Sequence, residues 1–170
     1  MKQNDRLIER FPTLSDFAKK VMKDYKDLLD KEVKPGQNTV YDRFPFVGPL
    51  HNEELSEIYE GQYLNCKKEG VGKVFYGKED AYYYGTFHED RRHGFGIVIK
   101  KNNSYIVGEW KDNKVWGNAL YKRENGDYYE GQWYDNKKHG TGKELVADEK
   151  IYLGKYINNE KMDTNAKVVM

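Results

Sequence analysis

The chain has 170 residues, of which 15% are aromatic, including 15 tyrosines, and its 29 Lys and Arg nearly balance 28 Asp and Glu for a net charge of +1. That length holds one domain, or a short repeat array with an extension, and excludes two full-sized domains. The near-zero charge removes any bulk steering toward nucleic acid, and the single Cys66 excludes an internal disulfide or a multi-cysteine metal site.

No apolar run approaches the roughly 18 residues of a membrane-spanning helix, and the first residues lack the apolar region of a signal peptide. The expectation is a soluble intracellular protein. With only 38% hydrophobic residues, burial has to come chiefly from amphipathic rings.

Residues 1–58 carry no repeat and read as an extension. Leu14, Phe17, Ala18, Val21, Met22, Tyr25, Leu28 and Leu29 recur at steps of three and four, which predicts an amphipathic helix over about 13–32. Thr13 or Ser15 caps its start and Pro35-Gly36 stops it. Two roles fit such a helix: covering this protein's own aromatic sheet face, which is the favoured one, or docking on a partner. Residues 37–56 read as an extended linker, because Pro45 and Pro49 discourage helix. Within it Phe44 and Phe46 are candidate partner contacts, or pins that hold the linker to the first hairpin.

From Tyr59 the chain repeats. Gly61, Gly85, Gly108, Gly131 and Gly154 are spaced by 24, 23, 23 and 23 residues, and Gly70, Gly94, Gly117 and Gly140 each follow nine residues later. With Gly72, Gly96 and Gly142, each two residues after a glycine of the second series, twelve of the 16 glycines fall in this register, so the period marks stacked supersecondary units. Tyr63, Phe87, Trp110, Trp133 and Tyr156 lie two residues after the first glycine; Tyr59, Tyr83, Ile106, Tyr129 and Tyr152 lie two before it. Alternation along a strand puts both files on one aromatic face and predicts a wet opposite face. The glycine between them leaves a gap, expected to be filled by a ring from a neighbouring strand. Polar segments such as 65–69, 89–93, 112–116 and 135–139 read as turns whose following glycine takes positive φ. Each repeat is thus a β-hairpin, with second strands at about 73–76, 97–100, 119–122 and 143–146.

These residues resemble the MORN (membrane occupation and recognition nexus) repeats, whose pattern runs Tyr-x-Gly-x-aromatic-x-x-Asn/Asp-x-Lys/Arg-x-Gly-x-Gly. The segment from Tyr129 through Gly131, Trp133, Asn136, Lys138 and Gly140 to Gly142 follows it best. The third repeat departs at Ile106 and Ala119, and the fifth lacks its Gly-x-Gly. The resemblance covers 59–163 and implies a mainly β fold: an elongated single-layer antiparallel sheet of about five stacked hairpins. Ten strands at about 4.8 Å make a slab roughly 45–50 Å long. The remaining 164–170 read as an edge segment that invites strand addition by a partner or a second copy.

Chemistry is scarce. None of the Gly-x-Gly pairs continues into a phosphate-binding loop, and His93 and His139 sit at equivalent repeat positions without a third ligand in spacing. Cys66 lies in a predicted turn without a nearby histidine, which favours a free structural cysteine. The chain therefore reads as no enzyme, with no cofactor or metal. Lys67, Lys68, Arg91, Arg92, Lys114, Lys137, Lys138 and Lys161 fall in successive predicted turns and form a basic row. Such a row is either an anion site or, as favoured by the interleaved acids, a solvated edge.

The expectation is a non-catalytic scaffolding subunit of a larger assembly, cytoskeletal or ciliary (axonemal) as is common among proteins resembling MORN arrays. Its partners are other protein subunits. The alternatives are a peripheral adaptor for anionic phospholipid and an accessory subunit of a mitochondrial complex.

Overall fold

The computed structural model describes residues 46–146, 150–162 and 167–169, together with Lys23. The remainder of the expected helix over 13–32, and Phe44, lie outside the described residues. Among the described residues twelve strands form one antiparallel sheet. Their order is β1 (Phe46–Asn52), β2 (Glu57–Leu64), β3 (Lys67–Tyr76), β4 (Ala81–His88), β5 (Arg91–Lys100), β6 (Tyr105–Lys111), β7 (Lys114–Lys122), β8 (Tyr128–Tyr134), β9 (Lys137–Val146), β10 (Lys150–Ile157), β11 (Glu160–Lys161) and β12 (Lys167–Val169). Strands β1 to β11 neighbour one another in sequence order, and β12 pairs with β10 beside β11.

Five hairpins account for β2 to β11, as the period predicts. Their turns are tighter than expected. Asn65-Cys66, Glu89-Asp90, Asp112-Asn113, Asp135-Asn136 and Asn158-Asn159 all take positive φ at both positions. This is the two-residue turn whose twist matches that of the flanking strands, and after glycine Asn and Asp tolerate it best. Consequently Lys67, Lys68, Arg91, Arg92, Lys137 and Lys138 are the opening residues of second strands rather than turn residues.

The length saved in the turn is absorbed by a bulge. Gly61 pairs with Gly72, but Tyr63 pairs with Lys68, so β3 carries extra residues there. The same irregularity recurs in the hairpins β4–β5, β6–β7 and β8–β9. Gly70 sits in the first bulge at φ 69. The carboxamide of Gln62 accepts a hydrogen bond from the Val71 N–H at 2.7 Å, and Gln132 does the same for Thr141 at 2.9 Å.

Two features lie beyond the predicted array. Residues 46–52, within the expected linker, are a strand pairing with β2 from Phe46↔Gln62 to Asn52↔Glu57. The open edge of hairpin 1 offers unpaired backbone groups that an extended, proline-containing segment can satisfy. At the other end β12 pairs Ile151↔Val169 and Leu153↔Lys167, so the C-terminal segment caps part of β10.

Residues alternate between two faces. Face A bears Tyr59, Val74, Tyr83, Phe87, Val98, Trp110 and Ala119, which form one buried cluster with Ile106 and Trp133 packed against it. The expectation of a wet face B fails in the first three hairpins. There Val71, Tyr82, Tyr84, Ile97, Ile99 and Val107 are buried, as is Lys73, which pairs with Glu60 at 3.0 Å. The β-branched and aromatic residues between the repeat positions make this face apolar, a signal masked in the sequence by the stronger glycine period.

Candidate functional site

Face A is built by a unit that recurs in hairpins 1, 2 and 4. The tyrosine before the first glycine lies flat over a cross-strand glycine pair, Gly61↔Gly72, Gly85↔Gly96 or Gly131↔Gly142. A Cβ placed on Gly72 would fall 2.6 Å from the Tyr59 ring, and one on Gly96 2.6 Å from that of Tyr83. The ring filling each gap therefore comes from the same strand, two residues upstream, and not from a neighbouring strand as expected. Its hydroxyl donates to the carbonyl three residues on: Tyr59 to Gln62 at 2.5 Å, Tyr83 to Thr86 at 2.9 Å and Tyr129 to Gln132 at 3.0 Å.

The second aromatic file closes the unit from the next hairpin. Phe87 meets Tyr59 edge-on at 5.6 Å, Trp110 meets Tyr83 at 5.7 Å, and Tyr156 meets Tyr129 at 4.9 Å. Such T-shaped pairs align the positive ring edge with the negative face. Trp110 Nε1 also donates to the Gly96 carbonyl, and Trp133 Nε1 to that of Ala119, each at 3.1 Å. Burial raises the Tyr83 phenol well above the ordinary 10.0, against a downward pull from Arg92. Burial, with the Glu144 charge, pushes Tyr129 up to about 12. These phenols are structural donors.

A third device escapes sequence reasoning. The second turn residue of each hairpin after the first clamps the preceding hairpin at two points. The Asp90 N–H donates to the Lys68 carbonyl at 3.0 Å while its carboxylate accepts from the Lys68 N–H at 2.8 Å. Asn113 on Arg92, Asn136 on Val115 and Asn159 on Lys138 repeat the arrangement. Its one sequence signal is the Asp/Asn recurring at this register, with Cys66 standing where hairpin 1 has no predecessor to clamp.

The basic row divides by strand alternation. Lys68, Arg92, Lys138 and Lys161 fold over face A, lying over Tyr59 at 5.6 Å, Trp110 at 4.6 Å, Tyr129 at 4.9 Å and Tyr152 at 4.4 Å. Lys68 pairs with Glu57 at 2.6 Å, and Lys138 and Lys161 both reach Glu144. Burial raises the Glu144 pKa, but the hydrogen bonds from those two lysines outweigh it and hold the carboxyl below the usual 4.5. Lys67 pairs with Glu89, Arg91 with Glu89 and Asp112, and Lys114 with Asp135, while Lys137 is exposed. Most cations of the row therefore have a carboxylate or a ring as neighbour. Cys66 is exposed, and no group of metal-ligating side chains occurs among the described residues. No described helix is long and apolar enough to cross a membrane.

Hairpin 3 breaks the unit. Ile106 stands where the tyrosine should be, and its cross-strand pair is Gly108↔Ala119, so the lost ring and the gained methyl go together. No ring bridges from Ile106 to Trp133, and the row opens into a trough of about 380 Å³. Val98, Ile106, Trp110, Tyr121 and Trp133 line it, with Arg92 alongside. Glu79 and Lys100 stand toward the connection end, and Asn113 and Asn136 toward the turn end. A second cavity, of about 630 Å³, lies beside hairpin 1 between Leu50, Leu55, Tyr59 and Tyr63.

The MORN repeat family model matches residues 83–105, 107–128 and 129–148, which are hairpins 2, 3 and 4. No curated protein matches the chain significantly. Hairpins 1 and 5 lie outside the matched residues but share the two-residue turn and a tyrosine ring lying against the first glycine, Tyr59 on Gly61 and Tyr152 on Gly154.

Proposed function

From the premise that this chain is a MORN-repeat protein, a class of protein- and membrane-interaction modules, we propose that it is a non-catalytic interaction subunit that grips a partner protein in the trough at hairpin 3. The observation that carries this reading is the break itself: one unit of a self-covering aromatic row lacks its ring and leaves an open, aromatic-walled trench. Two tryptophans, a tyrosine and an arginine are the side chains that dominate binding energy when a partner desolvates them. A segment offering an apolar anchor, with a carboxylate toward Arg92 or Lys100, matches the lining. The setting we favour is a large cytoskeletal or ciliary assembly; an accessory place in a mitochondrial complex is the other. Strand addition at the outer edges provides a route to a homodimer.

The test restores the repeat. Ile106→Tyr with Ala119→Gly rebuilds the flat ring over a glycine pair and fills the trench. The expected outcome is an unchanged or raised Tm with loss of the subunits that co-purify with the wild-type chain from its native source. Full recovery of those subunits overturns the trough reading.

The lipid reading draws on the basic row, whose cations are largely occupied by carboxylates and rings. Sedimentation with phosphatidylserine vesicles separates the two readings. Binding abolished by Arg91→Glu with Lys137→Glu supports the membrane adaptor; absent binding removes it.

A further inference from the structure

We propose that the amphipathic segment 13–32 packs on face B of hairpins 1 to 3, opposite the aromatic row. Ile97 is 0% and Ile99 1% exposed, and Val71, Tyr82, Tyr84 and Val107 are all below 9%. Every described strand belongs to one sheet, so no second described layer lies over these side chains. Face A closes itself with flat rings and overlying cations, whereas the cation–ring contacts described on face B, Lys111 over Trp116 and Lys143 over Tyr128, lie away from Ile97 and Ile99. A bare sheet face leaves its side chains partly wet, so near-zero exposure there requires a cover. Lys73, buried and ion-paired with Glu60, lies on the same face and points the same way.

Chain length selects the occupant. Outside the described residues lie 1–22, 24–45, 147–149, 163–166 and Met170, and only the N-terminal run is long enough to span several strands. A helix over 13–32 would be about 30 Å long at 1.5 Å per residue, which exceeds the roughly 20 Å width of four strands. Residues 33–45 reach up to about 43 Å when extended, enough to round the β1 edge and arrive over β3 to β6. Leu14, Phe17, Val21, Met22, Tyr25 and Leu28 supply the apolar stripe. Lys23, on the polar side of that stripe, is helical and exposed.

The cover also runs out where a helix of this length would. Tyr134 is 50%, Leu153 41% and Ile157 47% exposed on the same face of hairpins 4 and 5. This placement differs from the expectation that the helix covers the aromatic face, and it leaves the trough on face A open.

Methyl NOE spectroscopy of the full-length chain tests the placement. Cross-peaks are expected from Val21 and Leu28 to Ile97, Ile99 and Val107. Cross-peaks instead to Val74, Val98 or Ile106, which lie on face A of the same strands, overturn the proposal, as does the absence of any. Val21→Asp with Leu28→Asp should abolish the face B cross-peaks and raise hydrophobic-dye fluorescence while the sheet's circular dichroism stays constant. Unchanged dye fluorescence in that variant also counts against it.

Discussion

Hairpins 2 and 3 are adjacent, share the turn geometry and the bulge, and differ at the centre of face A. Hairpin 2 has Tyr83 over Gly85 and Gly96; hairpin 3 has Ile106 beside Gly108 and Ala119. The first is a sealed unit in which one ring fills the space of two missing side chains and satisfies a backbone carbonyl with its hydroxyl. The second keeps the strand pairing but loses the seal. The comparison teaches that the tyrosine and the second glycine work as one device, since hairpin 3 has lost both together.

The largest effect should come from removing the ring in the sealed hairpin. Tyr83 is 0% exposed, so Tyr83→Ala is expected to cost about 3–5 kcal/mol in denaturant unfolding, as for other buried aromatics. Ile106→Ala, at a partly wet site, should cost markedly less, and equal losses would break the comparison. Next comes Gly96→Ala, whose new methyl meets the Tyr83 ring and should cost about 2–3 kcal/mol through overpacking. Adding Tyr83→Ile converts hairpin 2 into a copy of hairpin 3. The double variant should be more stable than the sum of the two singles by about 1–2 kcal/mol, a coupling read from a double-mutant cycle.

Hairpin 4 sharpens the contrast through charge. Where hairpins 1 and 2 place Val74 and Val98 opposite the flat tyrosine, hairpin 4 places Glu144 opposite Tyr129. Because its pKa is lowered in the fold from 4.5, its contribution is present above pH 4.5 and lost as the pH falls below it. Amide exchange in β9 and β10 should accelerate through that acid window while β3 to β5 hold. Glu144→Gln should flatten the difference and cost about 2 kcal/mol at neutral pH, the scale of a lost charged hydrogen bond.

The smallest effect concerns the clamp. Asn113→Gly retains the freedom for positive φ and loses only the side-chain bond to the Arg92 N–H, so about 1 kcal/mol is expected. Cys66→Gly, at the equivalent position with no preceding hairpin, should show no clamp loss.

Much of the fold is legible in the order of residues. The glycine periods, the two aromatic files and the polar breaks are local facts, and strand alternation turns them into hairpins with one ringed face. The Ile106 and Ala119 departures are visible as well, but only as departures. Their link is hidden because Ile106 and Ala119 meet across strands through Gly108, and the register includes a bulge that sequence spacing does not reveal. The Asp and Asn of the turns read as turn formers; their grip on the preceding hairpin needs the stacked geometry. Face B reads as wet because alternation is plain only at the repeat positions, which leaves Tyr82, Tyr84, Ile97 and Ile99 outside the pattern.

The sequence alone determined the repeat unit, its period and the chemistry of its turns, because each is set by neighbours along the chain through φ preferences and side-chain alternation. Tertiary structure decided which ring fills which gap, which cations lie over rings instead of facing solvent, and where the aromatic row opens. Those outcomes depend on contacts between strands about 20 residues apart, whose register is fixed only when the whole sheet pairs.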